Sequence, residues 1–346
     1  MVLAACSAYG GRVTESFNAG WEFEERGVAT AVDLPHDWAI AGPFDPKGWG
    51  ATGRLPWKDR TATYRKTLVL PVAFFFGTAA FFLRFYGGNL LLNFFFGPAV
   101  NAAKGISSSV SSAISRFRDN FITALNPQIN KSYAQQDREF FFSLVFSGCR
   151  LSLFLMLLLT APLLLSTSFI LELWLGNVPG YAVVFTQLVL GYEIIEGITC
   201  PLITAMLATG DIKRYELAVG SCELLYLPLT WLLLRCGSYP EIVLVMSIII
   251  SLLILAVRLM FLRRKTGLNI RGFLREVIWR AILVTLAGLT LPLALSFLIS
   301  EGWSSFLTLT LLSLVTMGAS IFFIGCDKKE QAFLRDKCGR LLRMKR

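Results

Sequence analysis

Histidine is nearly absent from this chain, with one example, His36, in 346 residues. That excludes histidine-rich metal centres and leaves Ser-His or Cys-His chemistry a single position to use. Charge is thin as well. Asp, Glu, Lys and Arg make up 16% of the residues, where a soluble domain carries about a quarter. The seven cysteines include no CxxC pair, which removes the usual zinc and dithiol readings. No glycine-rich phosphate loop, nucleophile triad or metal-ligand cluster is visible, so neither a cofactor nor a metal is expected. What is abundant is apolar: 55% of the chain is hydrophobic and the mean hydropathy is +0.60. Apolar stretches of about 18 residues or more recur, and roughly 20 such residues cross a hydrocarbon layer about 30 Å thick. These features predict a polytopic membrane protein.

The character of the chain changes near Pro71. Before it, short β-branched and aromatic runs alternate with turn residues such as Gly42-Pro43, Asp45-Pro46 and Gly48-Trp49-Gly50. Tyr64 to Leu70 alternates as a half-buried strand does. After it, the chain is almost continuously apolar to about Cys326. Segments built for water and for lipid do not share one core, so the two parts are read as separate pieces. Leu3-Ala4-Ala5-Cys6 resembles a lipoprotein processing box. Five residues precede the cysteine, too few for the charged and apolar regions of a secretory signal, so 1–12 reads as a remnant.

About eight spans are expected, at 74–96, 98–124, 139–166, 181–207, 214–235, 240–262, 277–299 and 303–325. Gly97-Pro98 makes a tight joint, with proline suited to a helix start. The second span is rich in serine and carries Arg116, Arg118 and Asp119, so it should face a bundle interior or a water-filled cavity. The net charge of +10 does not indicate nucleic acid, because the basic residues sit in short joints flanking apolar spans. Lys131 and Arg138, Lys213 and Arg214, the cluster from Arg263 to Arg275, and the tail from Lys328 mark alternate joints. The joints near 174–181, 236–240 and 300–302 hold no lysine or arginine. This alternation predicts a cytoplasmic C-terminus. It also places residue 73 on the cytoplasmic side, opposite to the side a lipoprotein cysteine requires.

The first part contains, in order, FNAGWEF (Phe17–Phe23), VDLPHDWAI (Val32–Ile40), GPF, TGRLPW and YRKTLVLP. Over 13–72 it resembles the opening of the sugar-binding jelly roll of family-two glycoside hydrolases, the β-galactosidase group. The segment WKDRTATYRKT departs from that family's glycine-rich pattern. The family's catalytic carboxylates belong to a later barrel that this chain does not contain. Asp33, His36 and Asp37 are therefore read as structural, and the chain as no enzyme. A non-catalytic carbohydrate-binding fragment is the alternative identity.

The second part contains GGNLLLNFFFGPAVNAAKGI (Gly87–Ile106), FITALNPQINKSYA (Phe121–Ala134), ILELWLGNVPGY (Ile170–Tyr181) and PLITAMLATGDIKRY (Pro201–Tyr215). These strings resemble oligosaccharide flippases of the multidrug-and-lipid exporter superfamily, those of polysaccharide and O-antigen loci. Such proteins have roughly fourteen spans, arranged as two lobes and a final pair. The resemblance implies that 73–326 is the second lobe with the final pair, followed by a basic tail at 327–346. It further implies the bacterial inner membrane, an undecaprenyl-diphosphate-linked oligosaccharide as substrate, and no flipping without a first lobe. A cavity lined by cations and hydrogen-bonding groups would carry the substrate. Its candidates are Arg84, Arg116 and Arg118 for pyrophosphate, and Asn89, Asn93 and Asn101 for sugar. Glu193 and Glu196, one turn apart, are candidates for proton or sodium coupling, against a plainer role in helix packing.

Overall fold

The computed structural model describes residues 4–6, 12–14, 21–25, 28–32, 62–65, 72–299, 302–328 and 330–331. Asp33, His36, Asp37, the GPF and TGRLPW strings and most of the basic tail lie outside the described residues. The chain divides into two compact units, Met1–Phe75 and Phe76–Arg346.

In the first unit, β1 (Ala4–Cys6) pairs antiparallel with β2 (Arg12–Thr14). A second antiparallel sheet has the order β4-β3-β5, from β3 (Trp21–Glu25), β4 (Val28–Val32) and β5 (Ala62–Arg65). Phe23 stands opposite both Thr30 and Tyr64 and is buried, while its neighbour Glu22 is exposed. That is the period-two pattern of a strand with one covered face.

The second unit is helical. Its helices are α1 (Val72–Phe96, entering from the first unit), α2 (Pro98–Ala134), α3 (Arg138–Leu165), α4 (Thr167–Leu175) and α5 (Ala182–Ala208). They continue with α6 (Lys213–Arg235), α7 (Ile242–Thr266), α8 (Ile270–Phe273), α9 (Arg280–Ser296) and α10 (Trp303–Ser320). A π-helical turn, Leu274–Trp279, fuses α8 to α9, and another, Ile321–Gly325, extends α10. Seven of the resulting rods are long and apolar enough to cross a membrane. The protein is a multi-pass membrane protein.

α2 is not among those seven. Gly97 turns the chain at φ +82° and Pro98 opens the helix, as expected of that pair. Its 37 residues make a rod about 55 Å long. The sequence places a joint after residue 124, but the helix continues to Ala134, with Lys131 in its last turn beside the exposed carbonyls. Asp137 then caps α3 by accepting from the Phe140 N–H at 3.0 Å.

Further differences have local causes. The basic residues Arg263, Arg264 and Lys265 belong to the last turn of α7, where they complement the helix dipole. Gly267, at φ +81°, ends that helix. Asn269 restarts the chain at once by capping Gly272 N–H at 3.1 Å. Residues 270–276, expected as part of the joint between the spans 240–262 and 277–299, are therefore helical. The segment after α3 forms its own short helix, α4, whose Phe169 meets Trp303 edge to face and stacks on Phe306 of α10.

α5 is the central rod, packed against α2, α3 and α7, while α9 and α10 pair with each other and against α3. Small residues let backbones approach, which is how helices associate where lipid removes the hydrophobic drive. Gly220 of α6 receives Phe76 of α1, and a Cβ there would lie 2.8 Å from the ring. Gly87 of α1 likewise receives Leu227 of α6.

Candidate functional site

One face of α2 repeats polar residues at alternating spacings of four and three: Lys104, Ser108, Ser111, Ser115 and Arg118. On a helix those positions form a single stripe. The stripe lines a cavity of about 370 Å³. α1 contributes Phe81, Arg84, Phe85 and Asn89, and α5 contributes Tyr192, Glu193 and Glu196. Tyr226 of α6 and Ser247 of α7 close the remaining side. Water-compatible side chains are thus gathered inside an apolar bundle, where the polar face of α2 meets polar groups of α1, α5, α6 and α7.

Buried ion pairs hold the walls. Arg84 donates to Glu223 at 2.8 Å, to the Ser247 carbonyl at 2.9 Å and to Ser251 Oγ at 3.1 Å. Its guanidinium also lies 5.7 Å from the ring centroids of both Tyr192 and Tyr226, within cation–π range. Arg118 pairs with Glu193, which also accepts from Ser111, so α2 is tied to α5. Glu196 accepts from Ser251 Oγ at 3.1 Å. That hydroxyl therefore joins Glu196 to Arg84.

The sequence candidates separate by position. Arg84, Arg118, Asn89, Glu193 and Glu196 come together at this cavity. Arg116 and Asn93 are exposed and, with Asn101, are not among its lining residues. Arg116 stands two residues from Arg118, about 200° round the helix. Lys104, Tyr192, Glu223 and Tyr226 belong to the site and were not singled out in the sequence. Glu223 carried a usable signal, since a carboxylate inside an apolar span requires a partner.

A second charged cluster lies at the C-terminal end of the described chain. Arg150, buried in α3, holds Asp327 at 2.9 Å and Glu330 at 2.5 Å, and Arg280 also reaches Asp327 at 2.5 Å. Glu330 accepts the Asp327 N–H at 2.8 Å, and Gln331 donates to the Phe322 carbonyl at 2.8 Å. Burial opposes ionisation of Asp327. The hydrogen bond from Arg280 and the charges of Arg150 and Arg280 outweigh it, holding the carboxyl below its ordinary range.

Among the described residues, no group of three or more His, Cys, Asp and Glu side chains could hold a metal ion. No known protein family, curated protein or solved structure matches this chain.

Proposed function

We propose that the helical unit is a transport lobe of the lipid-linked oligosaccharide flippase type, with an undecaprenyl-diphosphate-linked oligosaccharide as its cargo. The carrying observation is the cavity, in which a row of serines and three cations, Arg84, Lys104 and Arg118, stand inside an apolar bundle. Moving a pyrophosphate and a hydrated sugar through hydrocarbon needs such a lining, exposed alternately to the two sides. In this reading α2 crosses the membrane with the seven apolar rods, giving the eight spans of a second lobe and final pair. The lysine and arginine pattern then orients the C-terminus to the cytoplasm in a bacterial inner membrane. Glu193 and Glu196 serve proton or sodium coupling, and the jelly-roll-like residues 13–72 take no catalytic part.

Rocking needs a partner lobe, so the chain by itself should bind cargo without flipping it. The test is reconstitution into liposomes with a fluorescent lipid-linked oligosaccharide. Saturable binding without leaflet transfer is expected, with transfer appearing when a first lobe is supplied in trans. No binding to the reconstituted chain would overturn the proposal.

A further inference from the structure

We infer that Lys104 is the anion receptor of this cavity and that Arg84 and Arg118 are positioning residues. The ligand class is a phosphate ester or diphosphate. The inference rests on reading the cavity as a ligand site but assigns its charge to a different residue from those the sequence favours.

Two of the three cations at the cavity are already neutralised. Arg84 is paired with Glu223 and Arg118 with Glu193. The Arg84–Glu223 pair is buried, and Glu193 is buried against a partly exposed Arg118; separating either pair would leave a buried carboxylate without its countercharge. Lys104 also lines the cavity. Among the described residues its ammonium takes part in no hydrogen bond or ion pair, and Arg84 lines the same cavity. A cation held beside another cation, in a cavity with hydroxyls, is set up to receive an anion.

The geometry around it fits an anion with several oxygens. Lys104 Nζ lies against the α1 backbone at Gly88, where a Cβ would be 2.9 Å from it and 2.7 Å from Tyr226 Oη. Glycine at that position leaves room for both polar groups at the same wall; the Tyr226 hydroxyl already donates to the Val243 carbonyl at 3.1 Å, so the ammonium is the donor there that an anion would meet. Ser108 stands one turn along α2 and lines the same cavity, so a hydroxyl donor follows the ammonium on one face. A lysine ammonium has three donors and no preferred plane, which suits a tetrahedral phosphate.

Amine labelling of the full chain in nanodiscs, read by mass spectrometry at each lysine, tests this without a substitution. Inorganic pyrophosphate and farnesyl diphosphate are the probes. Both should slow labelling at Lys104 and leave Lys131 and Lys265 unchanged. Binding of farnesyl diphosphate should fall about tenfold or more in Lys104→Met and recover in Lys104→Arg. Unprotected Lys104, or undiminished binding in a folded Lys104→Met, overturns the inference. The failures can be told apart. Binding of lipid-linked cargo that ignores Lys104 sinks this assignment and leaves the flippase reading intact. Protection by pyrophosphate without binding of lipid-linked cargo does the reverse, and separates a free-phosphate site from a lipid one.

Discussion

At the scale of single residues, the cavity wall is held by the ion pairs Arg84–Glu223 and Arg118–Glu193. Removing one member leaves the other charged and desolvated, which costs about 3–5 kcal/mol, whereas removing both costs far less. Glu223→Ala should therefore destabilise the bundle by about 3 kcal/mol, and Arg84→Met combined with Glu223→Ala should recover part of that loss. Unfolding in detergent, analysed as a double-mutant cycle, checks this; additive losses would show that the pair is not coupled. The same residues mark what the sequence could tell. Glu193 and Glu196 were visible because a carboxylate in an apolar run stands out. Their partners were not, since pairing depends on how helices α2, α5 and α7 rotate against one another. That rotation also decides that Arg118 faces the cavity while Arg116 is exposed.

At the scale of elements, small residues and caps set the geometry. α1 meets α6 where Phe76 fits against Gly220. Gly220→Leu would drive a side chain into that ring, and overpacking of this kind costs about 1–3 kcal/mol. A lower unfolding temperature is expected, with a smaller drop for Gly105→Leu, where nothing lies within 4 Å of the added Cβ. Equal losses at both sites would contradict close α1–α6 packing. For the seven apolar rods, helix existence was legible from apolar length, and the Gly97-Pro98 turn from its dipeptide. Helix ends were less so. Lys131 reads as a joint residue yet completes α2, and the stop at Gly267 is followed immediately by the Asn269 cap. α4 went unread because a single short helix stabilised by Phe169 against α10 leaves no periodic signature.

At the scale of the whole molecule, Asp327 and Glu330 are tied back to α3 by Arg150, and Asp327 also to α9 by Arg280. Asp327 has its carboxyl pKa lowered by folding, so its contribution to stability is complete above the ordinary aspartate value, about 3.9. It is lost as pH falls through the lower, folded value. Amide exchange across 326–331 should rise on acidification into that range. In Asp327→Asn it should already be faster at neutral pH, with a flatter acid response; an unchanged wild-type profile would count against the clasp. The multi-pass architecture could be read from composition alone. The cavity could be read only in part, because the α2 stripe becomes a wall only once α1 and α5 close around it.

The most direct measurement is site-by-site thiol labelling of the full chain in nanodiscs with a membrane-impermeant reagent. It would compare Ser112→Cys and Ser115→Cys, which line the cavity, with Ile249→Cys and Leu252→Cys on the exposed apolar face of α7. Rapid labelling is expected at the two α2 positions, slowed by farnesyl diphosphate, and little at the two α7 positions. Unlabelled α2 positions, or equal labelling on both helices, would contradict a water-filled ligand cavity within a membrane-spanning bundle.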